Sequence, residues 1–97
     1  IDNIYVFDDG IVKGMMKWNC ESSETWELKE LYVDPFFQRE GIGTSLIKNF
    51  TESAKRRNAY EAFLWVLEEN SSAISFYEKQ GYMNTLTVLP IHTLASQ

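Results

Sequence analysis

Residues Leu28 to Phe50 read LKELYVDPFFQREGIGTSLIKNF, and this stretch decides the fold. A β-prone run ends at Tyr32-Val33, stops at Pro35, crosses a loop carrying Gly41 and Gly43, and enters an amphipathic helix with Leu46, Ile47, Phe50 and Ala54 on one face. Strand, glycine-bearing loop and helix start favour an anion such as phosphate. The first N–H groups of a helix have no intrahelical partner, the helix dipole adds positive charge there, and glycine lets main chain come close.

Working outward, the helix runs from about Gly43 to Asn58, with Lys55-Arg56-Arg57 in its last turn, where cations complement the dipole. Ala62 to Leu67, AFLWVL, is a continuous apolar run expected to form a central strand covered on both faces. Strand, helix, strand then makes a right-handed crossover between parallel strands. Asn70 or Ser71 can cap a second helix whose apolar side is Ala73, Ile74, Phe76 and Tyr77, Gly81 ends it, and Tyr82 to Leu89 returns as a last strand before Pro90.

On the N-terminal side, Ile4 to Phe7, the turn signal Asp9-Gly10, and Ile11 to Trp18 predict a β-hairpin. Gly14 marks a bulge, a close backbone approach or a plain surface position. Asn19 to Thr25 reads as a polar loop. In Trp26 to Val33 strict alternation puts Trp26, Leu28, Glu30 and Tyr32 on one face and Glu27, Lys29, Leu31 and Val33 on the other, so neither face is purely apolar and one is expected to meet a cleft. The expected fold class is α/β: a mixed β-sheet with an antiparallel N-terminal hairpin, a βαβ crossover, and a helix on each side, with residues 1–97 as a single domain.

Two phosphate loops fail against these letters. A dinucleotide fingerprint needs a third glycine where Leu46 stands, and a Walker A loop needs a lysine directly after its last glycine, where Thr44 stands. Gln38-Arg39-Glu40-Gly41-Ile42-Gly43 instead resembles the acyl-CoA-binding loop of the GNAT family of N-acetyltransferases. A second block, Asn70-Ser71-Ser72-Ala73-Ile74-Ser75-Phe76-Tyr77-Glu78-Lys79-Gln80-Gly81-Tyr82, resembles that family's Asn-x-x-Ala-x-x-Phe-Tyr-x-x-x-Gly-Phe signature nearly position for position.

The resemblance covers Trp26 to about Val88 by motif, and it implies acetyl transfer from acetyl-CoA to an amine by direct attack. Relatives begin with a further strand and two helices that wall the acceptor site, and the expectation is that this chain lacks them, as a C-terminal portion or a reduced member. By resemblance, main chain at Leu31, Tyr32 and Val33 meets the acyl carbonyl and pantetheine. Gln38, Arg39, Gly41, Ile42, Gly43, Thr44 and Ser45 hold the pyrophosphate, and Asn70 bonds the pantetheine arm as well as capping its helix. Tyr77 matches the tyrosine that protonates the departing thiolate, and a tyrosine on an apolar helix face serves equally as core. Glu27 is the candidate base and Glu30 its rival. Both also read as solvated carboxylates, and a bulge between them would alter which face each uses. A non-catalytic acyl-CoA-binding module is the alternative.

Composition bounds the rest. A chain of 97 residues, 44% hydrophobic, with three Trp, five Tyr and six Phe, describes a folded domain with a modest core. A net charge of −5 disfavours nucleic acid and suits a cationic amine. The single cysteine, Cys20, excludes an internal disulfide and is a poor nucleophile candidate, lying outside the motifs. Cys20 and His92 have no ligand-like spacing, so no metal is expected. With no signal-like or membrane-spanning run, a cytoplasmic location is the reading, and a homodimer could form by pairing exposed strands such as Tyr82 to Leu89.

Overall fold

The computed structural model describes residues 2–8, 10–20, 24–85 and 91–95. Strands β1 (Asp2–Asp8), β2 (Val12–Cys20) and β3 (Thr25–Val33) form an antiparallel meander. Helix α1 (Ile42–Arg56) then leads to β4 (Glu61–Val66), helix α2 (Ser71–Lys79), β5 (Tyr82–Thr85) and β6 (Ile91–Ala95). The sheet has six strands in the order β1-β2-β3-β4-β6-β5, with β3 and β4 parallel.

The expected mixed sheet, N-terminal hairpin and crossover are all present. One expectation about the helices is corrected: both lie on the same face of the sheet. Strand β4 is antiparallel to β6, and β6 to β5, so β4 and β5 run the same way. The β3-α1-β4 and β4-α2-β5 connections therefore step in the same direction across the sheet, and right-handed crossovers that do so place both helices on one side. Met16, Trp26, Leu28, Ala62, Leu64, Val66 and Tyr82 accordingly share one buried cluster with Leu46, Ile47, Phe50 and Ala54 of α1. Trp18 stacks on Trp26 at 6.4 Å between ring centres, and Phe50 packs against both.

The AFLWVL run is also corrected. Among the described residues it is covered on one face only: Ala62, Leu64 and Val66 are buried, whereas Trp65 is 48% exposed. Continuous hydrophobicity is a signal for a strand covered twice, and here it marks a second apolar face instead.

Strand β3 departs from strict alternation for a local reason. Its register with β2 slips between Lys17↔Glu30 and Trp18↔Leu28, which makes Lys29 the extra residue of a bulge. The slip rephases the strand, so Trp26, Leu28, Leu31 and Val33 all pack toward the helices, and Glu27, Glu30 and Tyr32 take the opposite face.

Gly14 resolves to close backbone approach. A Cβ there would lie 2.8 Å from the Tyr32 carbonyl oxygen, 3.1 Å from Ile42 Cγ2 and 3.3 Å from Leu46 Cδ1. Only glycine lets β2 pass this close beneath the start of α1. The hairpin turn differs from the two-residue type, since Asp8 pairs with Val12 and Gly10 donates its N–H to Asp8 Oδ1 at 2.8 Å. Asn19 and Cys20 extend β2 rather than opening a loop, and Cys20 is exposed. The last-strand expectation divides: Tyr82–Thr85 is strand β5, residues 86–90 lie outside the described set, and β6 enters between β4 and β5. No helix among the described residues is long and apolar enough to cross a membrane, and no group of three or more His, Cys, Asp or Glu among them gathers around a metal position.

Candidate coenzyme site

The loop between β3 and α1 is built from its own sequence. Asp34 accepts the Phe36 N–H on Oδ1 at 2.9 Å and caps the 3-10 turn Pro35–Phe37, and its own N–H donates to the Lys13 carbonyl at 2.8 Å. Lys13 sits over the Phe37 ring at 4.8 Å and pairs with Glu40 at 3.7 Å, tying the loop to β2. The chain then turns through Arg39, φ 71°, and Gly41, φ 80°. The left-handed region costs a non-glycine residue about 1–2 kcal/mol, which the anchored loop offsets.

Gly41 is the N-cap of α1 and supplies no side-chain cap. Its carbonyl accepts the first helical bond, from Ser45 N–H at 3.0 Å. The N–H groups of Ile42, Gly43 and Thr44 therefore precede the first intrahelical bond and keep their donors for something outside the helix. Beside them lies a cavity of about 360 Å³. Leu31 and Val33 of β3 form one wall, Gln38, Arg39, Gly41 and Ile42 the turn, and Gly43 and Thr44 the floor. Phe76 of α2 closes the far side.

The structure thus brings together eight of the residues singled out from sequence. Of the others, Tyr32 shares the strand but is exposed on the opposite face, and Ser45 is exposed with its N–H already committed to α1. Neither lines the cavity. Asn70 caps α2, its Oδ1 accepting the Ala73 N–H at 3.2 Å while its carbonyl accepts from Ile74 at 3.1 Å. Sequence reading missed Phe76 as a wall. Its signal was the place beside Tyr77 in the apolar stripe of α2.

Strand β3 pairs with β4 only from Thr25↔Glu61 to Leu28↔Leu64, so Lys29 to Val33 continue past the end of that ladder. The two parallel strands part at the bulge, and the gap in pairing beyond Leu28 and Leu64 is the slot between them. Glu27 stands one residue before the parting. Its side chain is 14% exposed and its Oε1 lies 3.8 Å from Lys29 Nζ. Glu30, its rival, is 58% exposed and pairs with Lys17 at 3.1 Å. Of the two, only Glu27 departs from the solvated-carboxylate reading.

Tyr77 is half-buried on the helix side, edge-on to Phe76 at 5.0 Å and to Tyr82 at 6.0 Å. It does not line the cavity, and its hydroxyl has no hydrogen-bond partner among the described residues. Burial pushes its phenol above the ordinary value, so it stays protonated through neutral pH.

Tyr82 is also pushed up, to about 12, first by burial and also by Tyr77 beside it, with a hydrogen bond to Thr51 acting the other way. Because the folded value lies above the unfolded one, this contribution to stability is complete below pH 10 and is lost as pH rises toward 12. Denaturant unfolding across that range is expected to show a loss of about 2–3 kcal/mol. Tyr82→Phe should flatten most of the fall, and an equal fall in both proteins would remove Tyr82 as its cause.

Known proteins share a sequence family and a fold with this chain. The acetyltransferase (GNAT) family matches residues 3–82. An uncharacterised N-acetyltransferase of Methanocaldococcus jannaschii is 45% identical over 64 residues, covering 66% of this chain and 28% of that protein. The [ribosomal protein bS18]-alanine N-acetyltransferase of Escherichia coli is 33% identical over 55 residues, 57% of this chain and 37% of its own. Among solved structures, an acetyltransferase of this family from Elizabethkingia anophelis with acetyl-CoA bound superposes with a TM-score of 0.88 at 18% identity, covering 99% of this chain and 76% of that one. PaiA N-acetyltransferase from Thermoplasma acidophilum, in complex with coenzyme A, gives 0.86 at 22% identity, covering 99% and 61%. The chain spans 28 to 45% of the length of the first curated relatives it matches. The family match over most of the chain, the shared fold, and an uncapped glycine-bearing helix start beside a split pair of parallel strands agree: this chain belongs to the acetyltransferase (GNAT) family.

Proposed function

We propose that this chain binds acetyl-CoA and carries its acetyl group to a primary amine by direct attack. The observation that carries the reading is the cavity itself, where Ile42, Gly43 and Thr44 at the start of α1 share a lining with Arg39 and with Leu31 and Val33 of β3, beyond the point where β3 parts from β4. Main-chain donors with a guanidinium fit a pyrophosphate, and an unpaired strand edge fits the amide groups of an extended pantetheine arm. Acetyl-CoA would supply the thioester.

In this reading Arg39 and the start of α1 bind the anion, and Gln38 begins the turn. Leu31 and Val33 shield one wall from water, and Phe76 shields the other. Asn70 holds α2 at the mouth of the slot. Glu27, one residue before the strands part, and Tyr77, packed between Phe76 and Tyr82, lie on opposite faces of the sheet. Glu27 takes a proton from the cationic amine, directly or through water, and Tyr77 holds the proton needed by the departing thiolate. The residues 1–97 act as one domain, and a cytoplasmic setting with free acetyl-CoA fits a single exposed cysteine.

Calorimetric titration with acetyl-CoA, followed by mass spectrometry of primary amines incubated with both, tests the reading. Binding with acetylated product supports transfer. Binding without turnover of any amine supports the alternative, a regulatory acyl-CoA-binding module. Absence of binding removes both.

A further inference from the structure

We propose that Tyr82 is a positioning residue: its hydroxyl, bonded to Thr51, fixes where the ring of Tyr77 stands relative to the start of α1. The inference rests on the acetyl-transfer reading for its importance, but its geometry stands alone. Helix α2 is short, Ser71–Lys79, and has no fully buried side chain, so its own packing fixes its placement weakly. Its inward residues are held from two sides. Phe76 meets the floor of the cavity, where a Cβ on Gly43 would lie 3.6 Å from Phe76 Cζ. Tyr77 stands edge-on between Phe76 and Tyr82.

Tyr82 is the anchored member of this row. It is 3% exposed, and its hydroxyl oxygen lies 2.7 Å from Thr51 Oγ1 on α1. Thr51 already donates its own hydrogen to the Ile47 carbonyl at 2.9 Å, so Tyr82 is the donor in the shared bond. One directional bond thus ties the strand after α2 to the helix that begins at the cavity. The signature that this segment resembles ends in Gly-Phe, whereas here Gly81 is followed by Tyr82. A phenylalanine would fill the same space without this tie. The hydroxyl adds a geometric constraint that packing alone does not supply.

The test uses the full chain with ¹³C-labelled tyrosine. In Tyr82→Phe and in Thr51→Val, the Tyr77 ring resonances are expected to shift and its ring flips to speed up, while Thr51→Ser keeps the wild-type spectrum. Coenzyme A, used as the probe ligand, should bind all four proteins within about twofold, since the helix start is untouched. With an amine that the wild type acetylates, turnover should fall about ten- to a hundredfold in the first two variants, with little change in KM for acetyl-CoA. Unchanged Tyr77 resonances in a folded Tyr82→Phe or Thr51→Val protein would overturn the proposal, as would Thr51→Ser behaving like Thr51→Val. Failure of the wild type to bind coenzyme A would count against the acetyl-CoA reading alone, because the Tyr77 spectrum reports the latch without ligand.

Discussion

Gly43→Phe is expected to abolish acetyl-CoA binding, lowering affinity by more than about a hundredfold, or about 2.7 kcal/mol, while the chain stays folded. Gly43 lies in the first turn of α1 with Phe76 and Val33 facing it. A Cβ there would meet Phe76 Cζ at 3.6 Å and Val33 Cγ2 at 3.7 Å, ordinary contact distances. Gly43→Ala therefore fits and should bind within about threefold of wild type, as a substitution without strain does. A phenyl ring must go further, into the cavity beside the donor groups of Ile42 and Thr44. Gly41→Val fails differently. Nothing crowds its Cβ, but φ is 80°, where a β-branched residue is strained by more than about 1–2 kcal/mol. That variant should lose thermal stability together with affinity. Calorimetric titration alongside thermal unfolding separates the cases, and undiminished affinity in Gly43→Phe would remove the loop from the binding site.

The parts of the fold legible in the sequence are those that local rules govern. Proline after a β-prone run, two glycines and an apolar stripe at helical spacing define β3, the loop and α1 without reference to the rest of the chain. Likewise Asn70 announces a cap, and Gly81, φ 97°, a helix end. What escaped depends on residues far apart in sequence. The bulge at Lys29 exists because β2 and β3 slip past one another, and no letter in Trp26–Val33 states the partner's register. That slip changes which residues line the cavity, because it turns Leu31 and Val33 toward α1. The place of β6 between β4 and β5 likewise follows from pairing, not from local propensity. The shared side of α1 and α2 was derivable in principle, but only once the strand order was known.

The open face of the sheet bears on the acceptor. Trp65, Tyr32 and Met83 are each about half exposed or more, at 48%, 52% and 59%. Glu27 lies on this same face. An amine reaching Glu27 would therefore approach from the side away from both helices, whereas the cavity at the start of α1 opens on the helix side. Strand β3 carries both Glu27 and the cavity residues Leu31 and Val33, and it parts from β4 between them, so the proposed chemistry depends on that parting as well as on the loop.

Tyr77→Phe is expected to lower turnover by about 10²- to 10⁴-fold, the usual contribution of a positioned general acid. The KM for acetyl-CoA should change little. The phenol has three qualifications: burial raises its pKa, so it is protonated at neutral pH, no described side chain engages its hydroxyl, and its helix follows the end of β4, where β3 and β4 have parted. Loss of the hydroxyl removes no apolar packing against Phe76 and Tyr82, so stability should stay within about 0.5 kcal/mol of wild type. That separates a catalytic role from a core one. A proton donated to thiolate stabilises charge only as the carbon–sulfur bond breaks, so the loss falls on kcat and on kcat/KM equally. Two measurements on one variant decide it, steady-state turnover with an accepted amine and calorimetric affinity for coenzyme A. Turnover unchanged, with chemistry shown to limit the rate, would return Tyr77 to the core. Equal losses in turnover and coenzyme affinity would mean that the hydroxyl acts in binding the coenzyme and not as the proton donor.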